Sequence, residues 1–270
     1  MTDREGMAQA AALLRWYGEM GVDAIVGNVP AARLHAPEPQ LSVPEAEAAA
    51  PVSAPESPAP PGPTGPSLPA ETEEARNAAA RCASLDELRA ALEAFEGCAL
   101  KEGASRLVFA DGAPGSQIMF VGEAPGREED RQGKPFVGRS GQLLDRMLAA
   151  LGLSRANVYI SNIVPWRPPL NRKPDLSEIQ VCLPFLLRHI ELASPSVVVT
   201  LGGTATHHLL GESGGIMKLR GRWFRLQTDT LTVPLMPTLH PAYLLRTPAQ
   251  KRWAWRDFLA VQVWLAEQQN

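Results

Sequence analysis

Cysteine is scarce: three residues in a chain of 270. With no secretory leader recognisable ahead of them, they argue for a reducing compartment and against a structural disulfide. The chain does not open on a positively charged segment followed by a long apolar one. Nor does any hydrophobic run approach the roughly 20 residues that a membrane span needs, so a cytoplasmic protein without a membrane partner is expected. Positive charge is not in excess either. The net charge of −3 excludes a strongly basic protein that coats nucleic acid, while leaving room for a local basic face. Phosphate-binding signatures are also missing. No glycine-rich loop ends in Gly-Lys-Ser/Thr, and the glycine spacing of a dinucleotide fingerprint does not occur, which counts against a nucleotide-binding enzyme.

What is present is a large apolar fraction, 45%, enough for a substantial core. It is unevenly spread. Eleven of the 25 prolines fall between Pro37 and Pro69 among Ala, Ser, Glu and Gly, a composition with too little apolar surface to offset the entropy of the chain. Residues 37–71 therefore read as a disordered, semi-extended linker. Residues 1–36 form an N-terminal helical segment, with Leu13, Leu14, Tyr17 and Met20 at helical spacing and Gly21 as a stop. This helix is a candidate for binding a protein partner or for docking back; the sequence leaves both open. Residues 72–270 make up the globular part. Arg and Lys recur there at 167, 172, 173, 218, 220, 222, 225, 246, 251 and 252, a distribution that permits a basic face.

Within the globular part, Ser84–Phe95 has the pattern of a helix, with Ser84 as cap and Glu87 completing a capping box. Short apolar runs then alternate with helical periodicity. Ile118–Val121 precedes a helix from Gly141 to about Leu151, and Val158–Ile160 precedes one near Leu176–Leu192. Val197–Leu201 precedes a short helix ending near Leu210, and Leu231–Met236 precedes a last helix near Pro248–Glu267. Four strand–helix alternations predict an α/β fold with a four-stranded parallel sheet covered on both faces.

In such sheets ligands bind at the carboxyl ends of the strands, and the residues there carry chemistry. They are Gly122 and Glu123 after the first strand, and Ser161 and Asn162 after the second. Gly202 and Gly203 follow the third, and His240-Pro241 the fourth. An amide both donates to and accepts from one planar edge, as reading a base requires. A histidine can stabilise developing negative charge. Phe136, in a glycine-flanked loop, suits stacking on a base. Taken singly, Asn162 also suits a turn, His240 a loop held by backbone, and Phe136 the core; together they point to one polar site.

The segments GEAPGREED (Gly122–Asp130), GKPFVGRSG (Gly133–Gly141), VYISNIV (Val158–Val164), RPPLNRKP (Arg167–Pro174) and LHPAYLLR (Leu239–Arg246) jointly resemble the family 4 uracil-DNA glycosylases. The resemblance spans about Leu88–Leu265. It implies a three-layer αβα fold and removal of uracil from single- or double-stranded DNA, the first step of base excision repair, by an enzyme expected to be a monomer. Carried over by motif, Gly122 and Glu123 lie near the sugar and the attacking water, with Gly126 in the same turn. Glu129 lies near C5 of the base, where it disfavours thymine. Phe136 stacks on the flipped base, Asn162 reads its edge and His240 donates to O2. Arg167 and Arg246 suit DNA contacts and Leu244 with Leu245 a wedge, although Leu244–Arg246 also suit the start of the last helix.

Family 4 members typically hold a four-iron, four-sulfur cluster on four cysteines. The matching positions here read Phe95, Cys98, Trp166 and Cys182. Phe95 has no ligating atom and the Trp166 indole is a donor only, so no cluster and no other cofactor or metal is expected. Related proteins that become covalently linked to their product use a histidine in an inserted loop. Arg167–Pro174 has neither insertion nor histidine, so turnover is expected. No lysine is assigned to the strand-end site, although Lys134 lies close in sequence. The competing expectation is a noncatalytic DNA-binding or repair-scaffold protein derived from the same fold, favoured by the altered cysteine positions and the N-terminal helix.

Overall fold

The computed structural model describes residues 70–212 and 214–268; the segment expected to be an N-terminal helix and all but the end of the segment read as linker lie outside the described residues. The first helix, α1 (Ala70–Ala80), opens two residues inside the segment read as linker. Helix α2 (Leu85–Ala94) follows. Ser84 Oγ accepts from Glu87 N at 3.2 Å as expected, but the Glu87 carboxylate returns to Ala83 N at 2.6 Å, one residue ahead of the cap. The short α3 covers Leu100–Gly103.

All four expected strands form, as β2 (Ile118–Gly122), β3 (Val158–Asn162), β4 (Val197–Leu201) and β6 (Thr232–Thr238), and they pair in parallel in the order β3-β2-β4-β6. Two short strands extend the sheet to six: β1 (Asp111–Gly112) pairs antiparallel with β3, and β5 (Phe224–Gln227) pairs antiparallel with β6. The first three parallel strands are buried along their whole length, because helices cover both faces.

Alternation along each strand divides the core in two. Met119, Val121, Tyr159, Val198 and Leu235 pack with α1, α2, α6 (Leu176–Ala193) and α7 (Gly203–Leu210). On the other face, Ile118, Phe120, Ile160, Val199 and Met236 pack with α5 (Arg139–Ala150), α9 (Pro241–Arg246) and α10 (Lys251–Glu267). Two further short helices are α4 (Arg127–Gln132) in the loop after β2 and α8 (Ile216–Leu219) before β5. The segment read as one last helix from Pro248 is a 3-10 turn followed by α10, and α9 is a separate helix ahead of it.

That separation corrects one expectation. Leu244 on α9 is completely buried in the second core, so it cannot enter a duplex as a wedge. Helix α9 packs against α5, and burying a leucine there contributes on the order of 2 kcal/mol that exposure would forfeit.

Candidate active site

Parallel pairing brings the strand ends together. Gly122 stands opposite Asn162 across β2 and β3, Val121 opposite Thr200 across β2 and β4, and Leu201 opposite Thr238 across β4 and β6. The loops leaving these ends enclose a cleft of about 860 Å³ whose lining includes Glu123, Glu129, Phe136, Asn162, Gly202 and His240. A second cavity, about 440 Å³, is lined by residues such as Ile118, Leu153, Phe258 and Leu265 and has no titratable side chain in its wall, so it offers no comparable chemistry.

Asn162 is 4% exposed, and its Oδ1 is buried with no hydrogen-bond partner. An unmatched buried acceptor costs about 1–3 kcal/mol, which a ligand that donates a hydrogen would recover. The amide lies hard against Gly122. A β-carbon at that position would sit 2.4 Å from Asn162 Oδ1 and 2.5 Å from the Phe136 ring, so only glycine lets the two approach.

Phe136 is buried apart from 5% of its surface, so the core packing that its sequence also allowed is realised, while the ring still lines the cleft. Its φ of 54° is left-handed, unusual for an aromatic residue, and its environment enforces it. Arg155 donates to the carbonyls of Pro135, at 3.0 Å, and of Phe136, while ion-pairing with Asp111 at 2.6 Å and Asp145 at 2.8 Å. The ring centre lies 5.7 Å from that of His240.

His240 caps α9: its Nδ1 accepts from Ala242 N at 3.0 Å, so the neutral ring carries its proton on Nε2. Burial, and secondarily the Arg246 charge, push its pKa down to about 4. The imidazole is therefore a neutral N–H donor at physiological pH. The strand that delivers it is braced from behind, where Thr238 donates to Asp257 at 2.6 Å and Asp257 pairs with Arg220.

Both acidic residues are held. Thr204, in the first turn of α7, donates to the Glu123 carboxylate. Glu129 accepts from Gly126 N at 3.2 Å and from Gly138 N at 2.8 Å, so it staples the two sides of its own loop as well as lining the cleft.

The cleft also holds residues that the sequence did not single out as its members: Thr204, Tyr243, Asn171, Arg172 and Lys173. Thr204 had a signal, following Gly202-Gly203 at the third strand end. Lys173 is a second correction, because a lysine does line the site, whereas Lys134 pairs with Asp111 at 3.3 Å. Arg246 lines the cleft. Arg167 is not part of its lining; its Nε donates to Asn171 Oδ1 at 2.7 Å, bracing the loop that is.

Away from the cleft, Cys98 and Cys182 stand with sulfurs 3.8 Å apart. Their contact draws the Cys98 thiol down and, joined by burial, raises that of Cys182. Phe95 and Trp166, 5% and 2% exposed, belong to the same core, and Phe95 meets Phe185 edge-on at 5.1 Å. Two sulfurs and two rings without ligating atoms do not fit a four-thiolate cluster.

The parallel strands of this α/β fold thus gather at their carboxyl ends, in one cleft, a carboxylate, an amide with a partnerless Oδ1 and a neutral histidine. The family comparison makes this specific: residues 109–260 match the model of the uracil DNA glycosylase superfamily, and the chain belongs to that family. Among its relatives, the type-4 uracil-DNA glycosylase of Sulfurisphaera tokodaii is 37% identical over 66% of this chain and 84% of its own length. That of Thermotoga maritima is 44% identical over 55% and 77%, and that of Saccharolobus solfataricus 39% over 61% and 79%.

Proposed function

We propose that the protein is a DNA repair glycosylase that hydrolyses the bond between uracil N1 and the deoxyribose C1′, leaving an abasic site. The observation that carries this is the partnerless Oδ1 of Asn162 beside Phe136. Uracil offers N3–H there as a donor. Cytosine presents a bare N3 acceptor and would leave Oδ1 unsatisfied, so the amide selects for the deaminated base.

Reaching that amide requires the nucleotide to leave the stack, which is cheapest in a single strand or at a U·G mismatch. Phe136 then covers the ring, and Glu129, fixed by Gly126 and Gly138, forms a wall against a C5 methyl group. As N1–C1′ breaks, negative charge spreads onto the base and positive charge onto the sugar. The neutral His240 donates Nε2–H toward O2, and Glu123, oriented by Thr204, faces the cation or directs the water. Arg246 and Lys173 supply phosphate contacts at the cleft.

The chemistry needs no cofactor, and the four positions of the family's cluster lack two of its ligands. Stoichiometric iron and sulfide in anaerobically purified protein would overturn that assignment. The reaction is hydrolytic without lyase activity, and borohydride trapping of a protein–DNA adduct through Lys173 would contradict it. The decisive experiment incubates the protein with labelled single-stranded and U·G oligonucleotides and cleaves abasic sites with alkali. Binding without uracil release would favour the scaffold alternative.

A further inference from the structure

Leu244 is buried and Leu245, partly buried, packs against the second core, so neither stands free as a wedge at the position where one was expected. Among the described residues six large hydrophobic side chains are markedly exposed: Leu170, Leu176, Met217, Trp223, Leu259 and Val263. A lone exposed leucine is ordinary on any protein surface and carries nothing by itself. Leu170 is set apart by its backbone, its bracing and its place.

It is 95% exposed, against 60% for the next most exposed of the six. Its backbone is left-handed, with φ 55° and ψ 19°, and Asn171 after it has φ 55°. Asparagine tolerates that region; a branched side chain such as leucine does so rarely, because its β-carbon crowds the following carbonyl.

The turn is nevertheless rigidly built. Pro168 and Pro169 fix its entry, Asn171 N and Arg172 N donate to their carbonyls at 3.1 Å each, and Arg167 grips Asn171 Oδ1 at 2.7 Å. Arg172 makes a two-pronged contact with Glu178, at 2.8 and 2.6 Å, tying the exit of the turn to α6. All this structure holds one apolar side chain in solvent. The next three residues, Asn171, Arg172 and Lys173, line the active-site cleft.

We propose that Leu170 is the wedge that enters the DNA duplex beside the extruded uridine and occupies the gap it leaves. Apolar wedges unstack base steps and hold a duplex open, and the cationic flank of Arg167 and Lys173 supplies phosphate contacts on either side. Met217, an exposed hydrophobic in the cleft lining itself, lies on the regular helix α8 without backbone strain. The proposal rests on the glycosylase reading above. Leu170 acts here as a positioning residue, because it touches the stack and not the reacting bond.

A wedge matters only where there is a stack to open. Single-turnover uracil release should be measured for wild type, Leu170→Ala, Leu170→Gly and Leu170→Met on single-stranded, U·G and U·A substrates. Expected is a single-strand rate within about 2-fold of wild type, with a fall of roughly 10-fold or more on U·A duplex for Ala and Gly, and a smaller fall at U·G, where extrusion is cheaper. Met, which keeps an apolar side chain, should largely restore the duplex rate. Leu170→Gly relieves the left-handed strain, so its melting temperature should hold or rise while its duplex activity falls. A duplex to single-strand ratio unchanged in Leu170→Ala, or an equal loss on both substrates, would overturn the wedge. Wild type that releases no uracil from any substrate would instead overturn the glycosylase reading and take the wedge with it.

Discussion

A β-carbon on Gly141 would lie 1.5 Å from the carbonyl oxygen of Phe136. The first turn of α5 is thus shaped around the backbone of the residue that roofs the cleft. With Arg155 holding the same carbonyl from another side, Phe136 is kept in its left-handed conformation.

Gly141→Ala should displace the Phe136 ring, and since a shift near 1 Å costs roughly 100-fold in rate, kcat/KM for uracil release should fall by about that factor. Steady-state kinetics, with circular dichroism to confirm folding, checks this; a near-normal rate would show that the ring position is not limiting.

Asn162→Ala removes the acceptor that N3–H is to satisfy. Single-turnover uracil release should fall by roughly 10²–10³-fold, the scale of losing one oriented group at a reaction centre. Loss of release on single strands and duplex alike distinguishes this residue from one that acts on the stack.

The pH dependence follows from His240. With its pKa near 4, the ring is already neutral at pH 6, so kcat/KM should show no inflection between about pH 6 and 7.5, where an ordinary histidine titrates. Stability moves mostly below that window. His189, buried against Tyr159 and Phe109, is pushed down to about 3, chiefly by burial. Both rings bind protons more readily in the unfolded chain. Their contribution is complete above the unfolded value near 6.5 and is lost as pH falls toward 4 and then 3, each by up to about 1.4 kcal/mol per pH unit. Urea midpoints from pH 7 to pH 4 should fall accordingly.

Thr204→Val keeps the size of the side chain but removes the donor to Glu123. The expected result is a fall in kcat of roughly 10-fold with little change in KM, because the substrate is still bound while the carboxylate is no longer oriented.

Arg246→Ala should weaken DNA binding similarly across sequences and reduce the slope of log K against log salt by about 0.9, the share of one phosphate contact. A salt titration of binding to uracil-free duplex measures that slope directly. Removing this charge also relieves one cause of the low His240 pKa, which should move upward.

The parallel strands and the residues at their ends are legible in the sequence, because both are local. Apolar runs bounded by glycine leave few alternatives for a buried strand, and in a parallel sheet every such end lies on one edge. Glu123, Asn162 and His240 are therefore legible as neighbours along one sheet edge, and one cleft holds all three. The edge strands β1 and β5 were not, since two and four residues form a strand only through a neighbour already in place. Which side chains are buried depends on packing between elements distant in sequence. Leu244 and Leu170 look equivalent as letters in polar motifs; packing of α9 against α5 buries the first, while a braced left-handed turn holds the second out. Arg155 likewise acquires its role only when Asp111, Asp145 and the Phe136 carbonyl, distant in sequence, converge on one guanidinium.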